Sequence, residues 1–539
     1  MKQWLAWLGY GLLGLLILGP LLRPGYILAL DMSWVPQLRS PAAFTSSWPF
    51  YELLWLVGLV LPSMVIQKLV LVACLAVAGV GAYWLVRRAA LLNNEAAGCL
   101  AGVFYIVNPF VYTRLMAGQY LVLLGYALLP WFVGVLWRLL DRPSWRLAAI
   151  LAALAAAIGF VSIHDIGLMA VVSLVSAVAV GWGRGRRLWQ IASWLGAVAA
   201  GWLAANLFWL VPFILGRSPE ARQVAGFGAD QYVAYATTSD GVGVSFNTLI
   251  LQGFWDDPHG SYVLPSSRAL FWVAVALLAV LIILGLWRTV RERDRLGLAL
   301  TAAGVVGWAL AMGVAGPGLL GLLSDWLLRH VPFYEGYREP QKWLALSALA
   351  YAYLAGIGLA WALTRLRDWV KEATALAASM LPLAAVPMLL WGAGGQLRSA
   401  DYPASWYALA QQLAAEPANG RILALPWHEY IGLNFAGRTV ANPAPAFFGP
   451  RLVSSDNPEL LGARSTTRQP LNDAIETQVL AGSYYVHDAG FKLATLGVSE
   501  VILFKQGDWT YYDWLNHQTD LVLVAESSGW KRYRVKEIK

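Results

Sequence analysis

Along this chain, apolar positions come in long unbroken runs. They lack the strict alternation of a half-buried strand and the three-to-four spacing of a helix with one wet face. A helix that crosses a bilayer needs about 20 mostly apolar residues. Runs of that kind lie at 4–22, 66–86, 96–112, 119–139, 147–163, 166–182, 189–214, 268–287, 297–316, 343–363 and 374–391. They predict roughly eleven membrane spans. Two further apolar stretches are irregular. Residues 40–62 are broken by Pro49 and Pro62 and predict interfacial helices, and residues 317–330 are short and predict a re-entrant segment.

The pattern changes after residue 391. "GRILALPW" reads as a strand entering a loop, "LNDAIETQVLAG" and "FKLATLGV" as helices, and "SEVILFK", "DLVLVAE" and "WKRYRV" as short strands. Helices and strands in alternation predict a compact α/β domain. The expected organisation is a polytopic α-helical bundle over 1–391, with outer loops 23–65, 215–267 and 331–342, followed by an extracytoplasmic α/β domain over 392–539. No low-complexity tract or clear internal repeat interrupts it.

Composition agrees. The 539 residues are 58% hydrophobic and only 13% charged, whereas soluble domains carry about 25% charged residues. The first apolar run, Trp4 to Leu22, exceeds a typical signal-peptide core and no small-residue cleavage site follows, so it reads as a retained span. Cys74 and Cys99 fall in apolar runs and read as buried small hydrophobes rather than a disulfide framework.

The net charge of +8 raises the question of a nucleic-acid partner. The placement of the basic residues answers it. They cluster at Lys2, at Arg87 and Arg88, at Arg138, Arg142 and Arg146, at Arg184, Arg186 and Arg187, at Arg288, Arg291, Arg293 and Arg295, and at Arg365, Arg367 and Lys371. After Lys2, each cluster follows an even-numbered span. By the positive-inside rule all lie on the cytoplasmic side with the N-terminus. The excess is a topology signal, and no nucleic-acid partner is expected.

The acids and polar groups gather on the opposite, outer loops. Asp31, beside Trp34 in "GYILALDMSW", follows the first span almost at once. It reads either as a solvated loop acid or as a general base held at the membrane surface. In "VNPFVYTRLMAGQY", Asn108-Pro109 ends a helix and leaves Arg114 and Gln119 at the outer boundary. Arg114 either snorkels to headgroups or meets an anionic ligand or an acid such as Asp31. "SIHDIG" sets His164 and Asp165 in a tight turn, as a polar cap on a helical hairpin or as a second acid for the site. "PFYEGYREPQKW" packs Glu335, Arg338, Glu339 and Lys342 among aromatic residues. It reads as an internal Arg–Glu network or as a phosphate grip by Arg338 and Lys342. The loop 215–267 is long enough to act as a lid, and its "DDPH" has metal-site residue types without a specific spacing. Nucleotide-binding, zinc and nucleophile-elbow motifs are all missing, which favours a membrane-delivered substrate.

Taken in order, "LDMSW", "NPFVYTRLMAGQ", "YEGYREPQKW", "RILALPWHEY", "RTVANPAPAFF", "LATLGVSEVILF" and "WKRYRV" resemble the GT-C superfamily of membrane glycosyltransferases, in its bacterial arabinofuranosyltransferase-like and YfhO-like branch. The resemblance covers both ends and much of the bundle. It implies a sugar donor linked to polyprenyl phosphate, an extracytoplasmic glycan, lipid or protein acceptor, surrounding membrane lipids, and a multi-pass place in the cytoplasmic (inner) membrane. It implies Asp31, with Asp165 as second acid, in catalysis and inversion at the anomeric carbon by direct displacement. Arg338, Lys342 and Arg114 would hold the donor phosphate. Trp34, Glu335, Tyr337, Trp427, His428 and Glu429 would contact acceptor or sugar. Many relatives carry a pair of acids where "LDMSW" has one, so no cofactor is assigned and a divalent cation stays open. The alternatives are a transporter or flippase of lipid-linked sugars and a non-catalytic glycan-binding scaffold. The bundle shows no matched halves with broken mid-membrane helices, which a transporter would carry.

Overall fold

The computed structural model describes residues 3–89, 94–181, 185–416, 420–460, 469–481 and 488–536. Lys2, Arg184 and Gly482, which belong to the basic clusters and to one expected helix, lie outside them. The chain divides into two compact units. One comprises residues 1–19, 40–56 and 68–396, and the other 20–39, 57–67 and 397–539. Two pieces of the expected first outer loop thus belong with the C-terminal residues, and the boundary falls five residues later than the sequence suggests (396/397 against 391/392).

The first unit is helical. Among the described residues, seven helices are long and apolar enough to cross a membrane: Trp4–Leu22, Ser63–Arg87, Glu95–Met116, Tyr120–Asp141, Leu188–Ile214, Ala269–Glu292 and Pro340–Leu363. The pair Asp368–Ala385 and Pro387–Gly394, bent by 70°, makes an eighth if taken as one span. Pro387 lacks the N–H that would continue the helix. Trp145–Val161, Asp165–Gly181 and Arg295–Ala311 are helices of 17 residues. At 1.5 Å per residue they reach about 25 Å, short of a hydrocarbon core of about 30 Å. Each of the eleven expected runs contains a helix among the described residues, but 96–112 breaks at Val107–Asn108, 374–391 breaks at Val386, and by length only seven or eight qualify as spans. The chain is a multi-pass membrane protein.

Apolar surface on every side predicts a buried helix, and Leu344–Leu363 is one, with 94% of its apolar window covered against 22% for Ala269–Glu292. It packs on helices Ala269–Glu292, Arg295–Ala311 and Glu95–Ile106. The closest approach is at paired glycines. A Cβ on Gly285 would lie 1.9 Å from the Leu354 carbonyl oxygen, and one on Gly358 would lie 1.9 Å from that of Leu281. The stretch expected to be re-entrant is helix Leu319–His330, and helix Trp48–Gly58 occupies the interrupted region before it.

The second unit is α/β. Its strands are β1 (Tyr26–Ile27), β2 (Ser399–Ala400), β3 (Arg421–Leu425), β4 (Tyr430–Leu433), β5 (Arg438–Ala441), β6 (Leu452–Val453), β7 (Val498–Phe504), β8 (Leu521–Glu526) and β9 (Trp530–Val535). Five form a mixed sheet in the order β6-β3-β7-β9-β8, with β6, β3 and β7 parallel and β9 antiparallel to both β7 and β8. Leu423, Leu425, Val501, Leu503 and Tyr533 pack with Ile475 and Leu493 in one core. β1 pairs antiparallel with β2, Tyr26 opposite Ala400, and β4 forms a hairpin with β5. Arg532 is almost fully buried and forks onto Glu416 and Glu500.

Candidate active site

In the helical unit the site grows from the break after Ile106. Asn108 caps the next helix, Pro109–Met116, its Oδ1 accepting from the Val111 N–H at 3.0 Å. Gly118, at φ +70°, turns the chain so that Gln119 falls back beside Arg114. Arg114 is 1% exposed. A buried guanidinium needs a counter-charge, and Glu339 supplies it at 3.4 Å. The same carboxylate accepts from Gln119 Nε2 at 3.0 Å and pairs with Lys342 at 3.5 Å. Burial pushes the Glu339 carboxyl up, but Lys342 and Arg114 outweigh it and hold it down to about 2. The Arg114 guanidinium also lies 4.5 Å from the Phe254 ring centre.

Arg338 leaves the same turn in another direction. Its guanidinium carbon sits 3.8 Å from the ring centre of Phe227 and 4.3 Å from that of Tyr235, and Nη1 donates to Gln231 Oε1 at 3.0 Å. Loop 215–267 therefore holds this arginine by two ring faces and an amide, without a carboxylate among these contacts. Tyr337 stacks on Trp343 at 4.7 Å, donates to the His164 carbonyl at 2.7 Å and accepts from the Gly167 N–H at 3.0 Å. That locks the "HD" turn onto the 334–343 segment. Burial, and after it the Lys342 cation, hold the His164 imidazole well below its usual range, so it is neutral. Asp165 is buried against Gly125, where a Cβ would come 1.7 Å from its Oδ2. Burial pushes its carboxyl up to about 8. Glu335 is half-buried nearby. The cluster thus brings three cations, Arg114, Lys342 and Arg338, around ionised Glu339, with Glu335 beside it and with His164 and Asp165 neutral. Its net charge is positive, which suits an anion.

Asp31 belongs to the second unit. It is exposed, in a turn closed by reciprocal backbone hydrogen bonds of Ala29 and Met32. Tyr430 on β4 donates its hydroxyl to Asp31 Oδ1 at 2.8 Å, and the Leu30 carbonyl accepts from Ala441 on β5 at 2.7 Å. The hairpin therefore fixes the acid. Trp34 and Trp427 are 5% and 4% exposed, so their ring faces are committed to packing. Trp427 lies in the sheet core with its indole N–H on Glu476 at 2.9 Å. His428 and Glu429 are half-buried. His428 Nδ1 meets Glu459 at 2.6 Å and Nε2 meets Asp508 at 3.1 Å. The bond to Glu459 is the main cause that raises this imidazole to about 9. Among the described residues, no three His, Cys, Asp or Glu side chains are grouped to hold a metal ion. In "DDPH", Asp257 instead takes hydrogen bonds from Tyr262 and the Gly253 N–H.

No family model matches the chain. No curated protein matches it in sequence. Solved structures do match. Arabinofuranosyltransferase AftD from Mycobacteria superposes with a TM-score of 0.63 at 17% identity, covering 99% of this chain and 40% of AftD. ArnT from Cupriavidus metallidurans, bound to undecaprenyl phosphate, superposes with a TM-score of 0.50 at 14% identity, covering 98% of this chain and 97% of ArnT. The chain has the GT-C fold. It spans about two fifths of the length of AftD.

The GT-C bundle also carries a half-open cavity of about 430 Å³ lined almost wholly by apolar side chains. Its walls come from Phe104, Leu249, Leu278, Tyr351 and Val386, residues far apart in sequence. Sequence reading singled out Arg114, Gln119, Arg338, Glu339 and Lys342. It did not reach Phe227, Gln231 or Tyr430. An aromatic or amide in a polar loop carries no periodic or motif signal, and only the fold places these three.

Proposed function

We propose that this GT-C chain is a membrane glycosyltransferase that moves a sugar from a polyprenyl-phosphate carrier to an extracytoplasmic glycan, lipid or protein acceptor. The observation that carries the reading is the positive cluster of Arg114, Lys342 and Arg338 around Glu339, in a fold shared along nearly its whole length with an arabinofuranosyltransferase. Arg338 grips the donor phosphate by its forked donors, and Lys342 and Arg114 add fixed positive charge as the phosphate leaves. The apolar cavity takes part of the carrier's isoprenoid tail. Neutral His164 and Asp165 add no competing negative charge. Asp165 stands as the second acid of the scheme.

Asp31 is the general base. Its carboxylate takes the acceptor hydroxyl proton, the acceptor oxygen bonds to the anomeric carbon, and the carbon–oxygen bond to phosphate breaks. Polyprenyl phosphate departs with the bonding pair. The transition state is oxocarbenium-like, and a single displacement inverts the anomeric centre. Tyr430 orients Asp31. Glu335, Tyr337, His428 and Glu429 contact acceptor or sugar, and the buried Trp34 and Trp427 serve packing within the second unit. The N-terminus and basic clusters are cytoplasmic, and the second unit faces outward from the inner membrane.

The test is transfer of labelled sugar from a polyprenyl-phosphate donor by the full-length protein in detergent. Asp31→Asn is expected to lower turnover by about 10²–10⁴-fold with the fold intact. Near-normal turnover removes Asp31 as the base. A protein that moves the intact donor across a vesicle membrane without consuming it overturns the transferase reading in favour of a flippase.

A further inference from the structure

The second unit holds a cavity of about 280 Å³ that the scheme above does not use. Helix Ala404–Ala415 forms one wall. Tyr407 and Gln411 are one turn apart on it, so they share the face that lines the cavity. Phe448 adds a second aromatic wall, and Gln37 a second amide.

Two arginines complete it, Arg39 and Arg451. They come from segments far apart in sequence, and backbone atoms fix each one. Arg39 Nη2 donates to the Phe447 carbonyl at 3.4 Å. Its Nη1 rests on Gly449, where φ is +107° and a Cβ would come within 2.5 Å of that nitrogen. Gly449 thus serves both the backbone turn and the approach of the guanidinium. Arg451 Nε donates to the Gly420 carbonyl at 3.0 Å. None of the described residues lining the cavity carries a carboxylate; the nearby Glu416, which caps the same helix and feels the Arg451 charge, lies outside the lining. Two guanidiniums held toward one small space, beside aromatic faces and amides, match the needs of a ring that bears an acid. The forked donors meet a carboxylate or phosphate, the aromatic rings cover the ring's apolar face, and the amides meet hydroxyls. The volume, near the lower end for small-ligand sites, fits one ring rather than a chain.

We propose that this cavity binds an acidic sugar unit, a ring bearing a carboxylate or a phosphate, as a recognition subsite for the acceptor. That the ligand is a sugar rests on the transferase reading; the anion preference rests on the cavity itself. The experiment is calorimetric titration of the full-length protein in detergent with glucuronate, glucose 1-phosphate, glucose and inorganic phosphate. Saturable binding of both acidic sugars is expected, at least about tenfold tighter than glucose or phosphate alone. R39Q and R451Q should each weaken it about tenfold, and G449A, by pushing Arg39 aside, should do the same. Unfolding temperature is measured for each variant. If one fails to fold, the other two carry the test. Glucose binding as tightly as glucuronate overturns the proposal, as does phosphate binding as tightly as glucose 1-phosphate or binding unchanged in folded variants. Binding needs no turnover. A protein that binds acidic sugars but transfers none sinks the transferase reading alone, and one that transfers but binds none sinks only this subsite.

Discussion

Glu339 is the residue on which the membrane-side cluster turns. It is the shared counter-charge of two buried cations, Arg114 at 3.4 Å and Lys342 at 3.5 Å. Removing one partner of a buried pair leaves an uncompensated charge, which costs about 3–5 kcal/mol. Glu339→Ala is therefore expected to lower thermal stability in detergent by that order, and Glu339→Gln by less, because the amide still accepts hydrogen bonds. Equal stability of wild type and Glu339→Ala would remove the carboxylate from this role. The sequence places Arg114 at a boundary where it needs a partner, but the acid lies 225 positions away, and no local pattern carries that distance. His428 shows the same limit in the other unit, since Glu459 and Asp508 are separate in sequence and meet on its ring. Its raised pKa has a definite sign. The folded state binds the proton more tightly than the unfolded chain, so the stabilisation is fully present below about pH 6.5. It is lost as pH rises through about 9. Unfolding measured across that window should show wild type losing stability relative to His428→Gln as pH increases. Parallel curves would mean that the imidazolium contributes nothing.

Helices are legible in this chain wherever apolar runs are long, because a span must satisfy its own backbone hydrogen bonds in lipid. Their ends are less so. The run expected at 147–163 is helix Trp145–Val161, started by Ser144, whose hydroxyl accepts from the Leu147 N–H at 3.3 Å. The β4–β5 hairpin, which carries the tyrosine that holds Asp31, is not legible. Its strands have four residues each and mix Gly432, Arg438 and Thr439 with apolar positions, so no clear alternation marks them. Contacts between helices are hidden too. Gly285 and Gly358 are two of 51 glycines, and nothing local marks them as the crossing point of Ala269–Glu292 and Leu344–Leu363. Each would place an added methyl 1.9 Å from a carbonyl oxygen of the facing helix, a backbone atom that cannot rotate away. Gly285→Ala and Gly358→Ala should each cost about 1–3 kcal/mol by forcing the helices apart. Thermal unfolding in detergent checks this, and a variant as stable as wild type would show that the crossing yields without strain.

At the scale of the whole molecule, composition gives the class and the basic clusters give an expected orientation, but neither gives a cavity. The apolar space of about 430 Å³ exists only because segments near residues 104–109, 246–251, 272–283, 351 and 382–386 converge in one bundle. If it takes the carrier's tail, filling it should weaken binding of long-chain donors while leaving the chemistry at the phosphate intact. Ala279 lines the cavity and is half-buried on helix Ala269–Glu292, so Ala279→Trp can fill it from the wall. Loss of binding made equally in ground and transition states raises KM and leaves kcat unchanged. A rise of about tenfold in KM for a full-length polyprenyl donor corresponds to roughly 1.4 kcal/mol of lost tail contact. A water-soluble donor with a truncated chain never reaches the cavity, and its KM should not move. Measuring both donors against Ala279→Trp separates tail binding from general damage: an equal rise for the two would place the tail elsewhere, whereas a rise for the long chain alone assigns this cavity to it.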